Sequence, residues 1–315
     1  MSAPEVISSS SDDGRGWRGA AALFGIALTT SIFQPAVLMA TPFLLLIGVK
    51  GGLNRSWTWV AAGLAFLVLI SGSRDGMWFV ERSWAMLLGG WFVALTQAKP
   101  AWSFANRALS SVFAATGSAG VLMLWRPGAW QAVDFAVSDR VQAGITNFVD
   151  AASVLRDGES LSPALITGLY EMAETQVQVF PALTGIASMA ALGVAWWVFS
   201  RVSSGDTAAL GPMGGFRFND HAVWLFIGGL VLLITRWSEP LHRVGSNAVV
   251  FMGALYALRG AAVVVFMSGG LSWFGYAMTA LGLLLMPPVV FGAALVIGIG
   301  DTWLDVRARA RELTA

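Results

Sequence analysis

Arg259 lies in ALYALRGAAVVVF (254–266), where every neighbour is apolar or small. A guanidinium stays charged in proteins, and a charge at mid-bilayer costs at least ~2.5–3.5 kcal/mol on insertion scales. Arg259 falls near the middle of its apolar run, so it needs a partner, a backbone carbonyl or a wet cavity. A second constellation occurs in MWFVERSWAMLLGGW (77–91): Glu81, Trp84, Leu88 and Trp91 are spaced three, four and three and share one helical face. A carboxylate followed by two indoles suits a flat or cationic ligand, through stacking and cation–π contact. It equally suits a Glu81–Arg82 pair at the interface with ordinary aromatic packing. Arg259, Glu81, Trp84 and Trp91 are therefore the candidate ligand-binding residues, with Glu81 a candidate partner for Arg259 if their depths match.

Two further stretches carry charge against apolar sequence. In GFRFNDHAVWLFIGGLVLL (215–233), Asn219 or Asp220 can accept the free N–H groups of the helix that follows. An acid there suits the helix dipole, and Arg217 suits a cytoplasmic loop. The chain has two histidines, His221 and His242, and a helix between them separates the pair by about 30 Å, too far to share a metal. In IGDTWLDVRARAREL (299–313), Asp301 and Asp305 are four apart, and Asp305–Arg309 makes an i,i+4 pair. The arginines anchor the exit from the membrane, or Asp301 and Asp305 form a docking face for a cytoplasmic partner.

Absences narrow the chemistry. The chain has no cysteine, which excludes disulfides, thiolate chemistry and Cys-type zinc sites. Lys50 precedes Gly51 and Lys99 precedes Pro100, so there is no P-loop, and neither H-E-x-x-H nor G-x-S-x-G occurs. No enzyme activity, cofactor or metal is expected, and any ATP-driven action must come from a partner. No basic tract is present, which excludes nucleic acid as a partner.

The elements that position these residues are set by composition. Of 315 residues, 56% are hydrophobic and only 12% charged, and mean hydropathy is +0.69. Several apolar stretches approach the ~20 residues that cross a bilayer, whereas the ~10-residue alternating strands of a barrel are lacking. The expected fold is all-α: a polytopic transmembrane helical bundle of 8–10 membrane segments with an amphipathic helical hairpin outside the membrane. Candidate spans are 18–34, 37–50, 57–72, 77–97, 105–125, 178–200, 221–236, 246–268 and the stretch 272–300. Trp17, Trp57, Trp59, Trp78, Trp102, Trp125, Trp237, Trp273 and Trp303 lie at or near span ends, as an aromatic belt would. Trp84, Trp91, Trp196 and Trp197 do not.

Nine spans would strand Arg307, Arg309 and Arg311 outside, against the positive-inside tendency. Reading 18–50 as one broken crossing gives eight; splitting 272–300 at Pro287-Pro288 gives ten. Ten is preferred, because it leaves the acidic middle loop outside. In that loop, 126–177, Trp130, Val133, Val137, Val141, Ile145, Phe148, Ala152 and Leu155 recur in threes and fours. DGES (157–160) interrupts the pattern, and Ser162-Pro163 supplies an N-cap and a first-turn proline. The loop therefore reads as a helical hairpin, either covering helix ends or acting as a lid. Residues 1–17 read as a disordered cytoplasmic tail, 18–300 as one membrane domain, and 301–315 as a cytoplasmic C-terminal tail.

The order of parts resembles the YybS-like bacterial membrane proteins, a domain family of unknown function. The resemblance rests on GIALTTSIFQPAVLMATPFLLLIGVKGG, the amphipathic loop, FRFNDHAVWLF, LYALRGAAVVVF and GIGDTWLDVRAR. Those proteins in turn resemble the substrate-binding S components of energy-coupling-factor transporters. That likeness implies a six-helix unit from 18–34 to 178–200, with the hairpin inserted before its sixth helix. It also implies a transmembrane coupling protein and ATPases as partners, docked on a small-residue face at Ala21 and Gly25. The expected function is small-solute binding and uptake by an S-component-like protein of the bacterial inner membrane, in contact with membrane lipid and with both termini cytoplasmic. The alternative is a non-transporting scaffold that recruits a protein through the hairpin or the C-terminal face.

Overall fold

The computed structural model describes residues 13–30, 36–49, 55–72, 74, 76–155, 161–203, 210–235, 237–270 and 272–314. Among them there is no strand. The helices are α1 (Asp13–Thr30), α2 (Ala36–Gly48), α3 (Arg55–Ile70), α4 (Gly76–Ala98), α5 (Phe104–Trp125), α6 (Ala129–Leu155), α7 (Pro163–Gln178), α8 (Phe180–Val202), α9 (Val223–Thr235), α10 (Glu239–Met267), α11 (Trp273–Leu285), α12 (Pro287–Leu304) and α13 (Val306–Thr314). By length and composition α5, α8, α10 and α12 can each cross a bilayer, and Gly19–Thr30, Trp57–Ile70 and Asp220–Thr235 are shorter apolar helices. The fold is a helical membrane bundle.

The ambiguous stretches resolve as separate helices. Residues 272–300 break at Met286, with Pro287 in the first turn of α12, where a missing N–H leaves no bond unmade. Residues 18–50 are likewise two helices, α1 and α2. Both splits match the ten-segment reading. The tails differ from expectation. The chain is already helical from Asp13, and residues 1–12 lie outside the described residues. At the other end Asp301 is still inside α12, and Val306–Thr314 form α13.

The central helix is α8, which packs against α1, α2, α5 and α10. Small side chains make this close approach feasible, since lipid offers no hydrophobic drive between helices and packing must supply it. A Cβ on Gly193 would meet Leu23 and Phe104, and one on Gly185 would meet the Phe251 ring. Leu88, Phe92, Leu192, Phe199, Met252 and Tyr256 are fully enclosed in the core. Trp17, Trp57, Trp59, Trp102, Trp125, Trp237 and Trp303 face outward, as the belt requires.

The hairpin is α6 and α7, with Ser162 capping α7 by accepting Leu165 N and Pro163 in its first turn. The DGES break, with Asp157 and Glu159, lies outside the described residues. The first half of α6 is clamped to the bundle. Val137 is buried against Met77 of α4 and Phe180 of α8, and Trp130 stacks on Phe180. Arg243 of α10 donates to Asp134 at 2.5 Å and to Val177 O at 2.9 Å. Asn247 donates to Gln178 O and accepts Ala182 N, tying α10 to the α7–α8 junction. The starts of α4, α8 and α10 thus gather beneath the hairpin. Their far ends, with Lys99, Arg201 and the last turns of α10, share the opposite face.

Candidate functional site

That opposite face holds a continuous chain of ion pairs around Arg259. Its elements come from three places. α10 contributes Arg259, eight residues before its end at Met267, or about 12 Å inside the helix terminus. The segment before α9 contributes Arg217 and Asp220. The end of α12 and the start of α13 contribute Asp301, Asp305 and Arg307.

Arg259 Nε donates to Asp301 Oδ2 at 2.9 Å and its Nη1 to Asp220 Oδ1 at 2.6 Å. Its Nη2 reaches the Asp301 carbonyl at 3.3 Å, and the guanidinium lies over the Phe218 ring. Arg307 Nη2 donates to the same Asp301 Oδ2 at 2.8 Å. Arg217 donates to Asp220 at 3.1 Å and to Asp305 at 3.2 Å. The order Asp305–Arg217–Asp220–Arg259–Asp301–Arg307 alternates in sign and sums to zero charge. Arg307 extends it by donating to Gly214 O and Phe216 O at 3.0 Å. Arg259 and Asp301 are completely buried, whereas the Arg217, Asp220 and Asp305 side chains are 40–44% exposed. Arg217 lies in a loop, and its proton is held more firmly than usual, chiefly through its hydrogen bond to Asp220. It therefore stays charged throughout the working pH range.

Local structure explains this geometry. Asn219 takes the capping role, accepting His221 N at 3.0 Å, which frees the Asp220 carboxylate for Arg259 and Arg217. Asp305 ends α12 in the left-handed region at φ 42°, with its N–H on Asp301 O, so the chain turns back and sends Arg307 inward. α10 and α12 touch backbone to backbone: a Cβ on Gly260 would fall on Ala294 O, and one on Gly298 on Tyr256 O. That contact brings the Arg259 and Asp301 backbones close enough for a direct pair.

The placement corrects several expectations. Arg259 has anions of its own, Asp301 and Asp220. Glu81 is not its partner: it sits under the hairpin, bonded to Arg82 at 2.6 Å, with Arg140 of α6 at 3.6 Å. Trp84 and Trp91 do not line a shared cavity with Arg259. Trp84 Nε1 donates to Ser188 Oγ at 2.9 Å, and Trp91 Nε1 to Ser118 Oγ at 3.1 Å. Leu88, between them on the same face, is fully buried core. Asp301 offers no surface to a docking partner, and Asp305 pairs with Arg217 rather than standing free. Ala21 and Gly25 do lie on the outward side of α1. His221 is exposed, and no group of three metal-ligating side chains occurs among the described residues.

A cavity does open elsewhere, between α6 and α7, from Arg140 at the clamp outward along the hairpin. It measures about 390 Å³ and is lined mainly by apolar residues, among them Val141, Ile145, Phe148, Leu169 and Met172.

A bundle of apolar helices laced at one face by buried ion pairs, with a helical hairpin standing off the other, defines a multi-pass integral membrane protein. Residues 20–302 match the model of the family described as "Predicted membrane protein (DUF2232)", and the chain belongs to that family. No curated protein matches it, and no solved structure does.

Proposed function

We propose that this protein is a non-enzymatic anchor in the bacterial inner membrane that presents its hairpin, outside the cytoplasm, to an apolar helical face of another protein. One observation carries the reading: the two halves of the hairpin differ. Near the bundle α6 is locked by Val137, Asp134–Arg243 and Arg140–Glu81. Beyond that clamp Phe148, Leu155, Leu165 and Met172 remain 48–86% exposed, and Phe148 and Met172 line the open cleft. Clustered exposed apolar side chains on a rigid mount are the usual marks of an interaction surface. The orientation is supported by charge: Lys99, Arg201, Arg217, Arg307 and Arg309 gather opposite the hairpin, and cationic loops favour the cytoplasm.

A photo-crosslinking residue at Phe148 or Met172 in living cells should give one discrete protein adduct. Probes at Asp139 and Asp150, on the far face of α6, should not, and Met172→Glu should abolish the Phe148 adduct. Adducts to lipid alone would mean that the hairpin lies on the bilayer instead, and the reading would fall.

S-component-like uptake of a small hydrophobic or aromatic solute is the second reading. Ala21 and Gly25 on the open face of α1 favour it, as a docking stripe for a transmembrane coupling protein with its ATPases. The engagement of Arg259, Glu81, Trp84 and Trp91 with neighbouring protein groups weighs against it. Copurification of an ATPase pair, lost on Gly25→Leu, would restore it to first place.

A further inference from the structure

One buried arginine stands outside every ion pair described above. Arg107, in the first turn of α5, is 7% exposed and stacks on the Trp196 ring, its guanidinium carbon 4.4 Å from the ring centroid. Among the described residues no carboxylate pairs with it. Its Nε is shut in without a hydrogen-bond partner. In membrane proteins buried cations are paired almost without exception. Arg259, Arg82, Arg243 and Arg307 obey that rule within this same molecule.

The surroundings specify what is missing. Ser103 caps α5, its side chain accepting Asn106 N and its carbonyl Arg107 N, which leaves the amides of Phe104 and Ala105 without an acceptor in the helix and with partial positive charge. Helical side chains lean toward their own N-terminus, which directs Arg107 to that end. Lys99 precedes the same turn, and its ammonium lies over Trp102. Trp102 is 40% exposed, as expected of an indole at headgroup depth. Arg201, at the end of α8, adds a further cation on this face. Among the described residues, Lys99 and Trp102 beside this turn and Arg201 on the same face are cationic or aromatic, and a guanidinium fork beside helix amides matches the oxygens of a phosphate.

We propose that Arg107 and the N-terminal turn of α5 bind a phosphate group at the membrane face opposite the hairpin, carried by an anionic lipid headgroup or by free phosphate. The test uses the full-length protein in nanodiscs of phosphatidylcholine, titrated either with phosphatidylglycerol or with inorganic phosphate. The readouts are thermal stability and lipid retention in native mass spectrometry. Wild type should be stabilised saturably. Arg107→Gln should bind about tenfold more weakly, the loss of one charge-assisted contact, and Arg309→Gln, which removes an exposed charge from the same face, should bind as wild type. A response to phosphatidylglycerol alone assigns the site to lipid; an equal response to inorganic phosphate assigns it to the free ion. If wild type prefers neither over neutral lipid, or if both variants weaken equally, the site does not exist. Should Arg107→Gln fail to assemble, Arg107→Lys keeps the charge but loses the fork, and unchanged affinity there overturns the assignment as well.

Discussion

Asp301 is the residue on which the Arg259 circuit turns, because one of its oxygens serves two buried guanidiniums at 2.9 and 2.8 Å. Removing one partner of a buried pair leaves an uncompensated charge and costs about 3–5 kcal/mol. Asp301→Asn should therefore lower stability by that order in equilibrium unfolding from mixed micelles. Arg217→Gln, which breaks only half-exposed contacts, should cost less than about 1 kcal/mol. Replacing both buried partners with apolar groups is often close to neutral. Arg259→Met with Asp301→Leu leaves one buried guanidinium, Arg307, without the Asp301 carboxylate instead of two, and should thus be more stable than Asp301→Asn alone; an equal or greater loss would show that the pair acts through more than charge balance. Part of this was legible in the sequence. A lone arginine in an apolar run needs a partner, a backbone carbonyl or a wet cavity, and Arg259 has the first two in the Asp301 and Asp220 carboxylates and the Asp301 carbonyl. The identity of the anion was not legible, because Asp301 and Asp220 lie 42 and 39 residues away and each had a plausible local role at a helix end. A usable signal existed in Asp301: it sits inside an apolar helix with no base three or four residues to either side, so its partner had to be distant.

At the level of elements, the circuit depends on how closely α10 and α12 approach. Gly260 and Gly298 are packed against backbone atoms, which cannot swing aside as a side chain can. Gly260→Ala and Gly298→Ala should each destabilise by about 1–3 kcal/mol through overpacking and should separate Arg259 from Asp301. Gly25→Ala and Gly228→Ala meet open space and should change stability by less than about 0.5 kcal/mol. Thermal midpoints of the four variants check the contrast, and equal losses at all four would count against a backbone-limited crossing. Element boundaries divide along the same line between local and distant causes. The hairpin was readable because its period, its Ser162 cap and Pro163 are local signals. α13 was not: VRARARELT reads as a tail whose arginines anchor the membrane exit, and only the left-handed turn at Asp305 reveals that Arg307 faces inward. Trp196 and Trp197 resisted a belt assignment for a similar reason, since each lies beneath an arginine, Arg107 and Arg201, from a distant or neighbouring turn.

Across the whole molecule both signs occur at each end, but the exposed charges of the hairpin are mainly acidic and those of α13 mainly basic, and orientation is measurable without a reporter fusion. The clamp of α6 onto α4, α8 and α10 places Asp139, Asp150, Glu171 and Glu174 at one end, and Lys99, Arg201 and α13 lie at the other. Because the chain contains no cysteine, every introduced thiol is the sole target for labelling. Asp150→Cys and Glu171→Cys, both exposed and outside any ion pair described above, should react in intact spheroplasts with a maleimide that cannot cross the membrane. Arg309→Cys, exposed on α13, should react only after the membrane is opened. The reverse pattern would place the cationic face outside, against the tendency that retains arginine and lysine in the cytoplasm. It would also remove the hairpin from the compartment where an extracytoplasmic partner could reach Phe148 and Met172, and it would move the Arg107 turn to the outer leaflet. One labelling experiment thus bears on both proposed surfaces at once, since the packing fixes them at opposite ends of the same bundle.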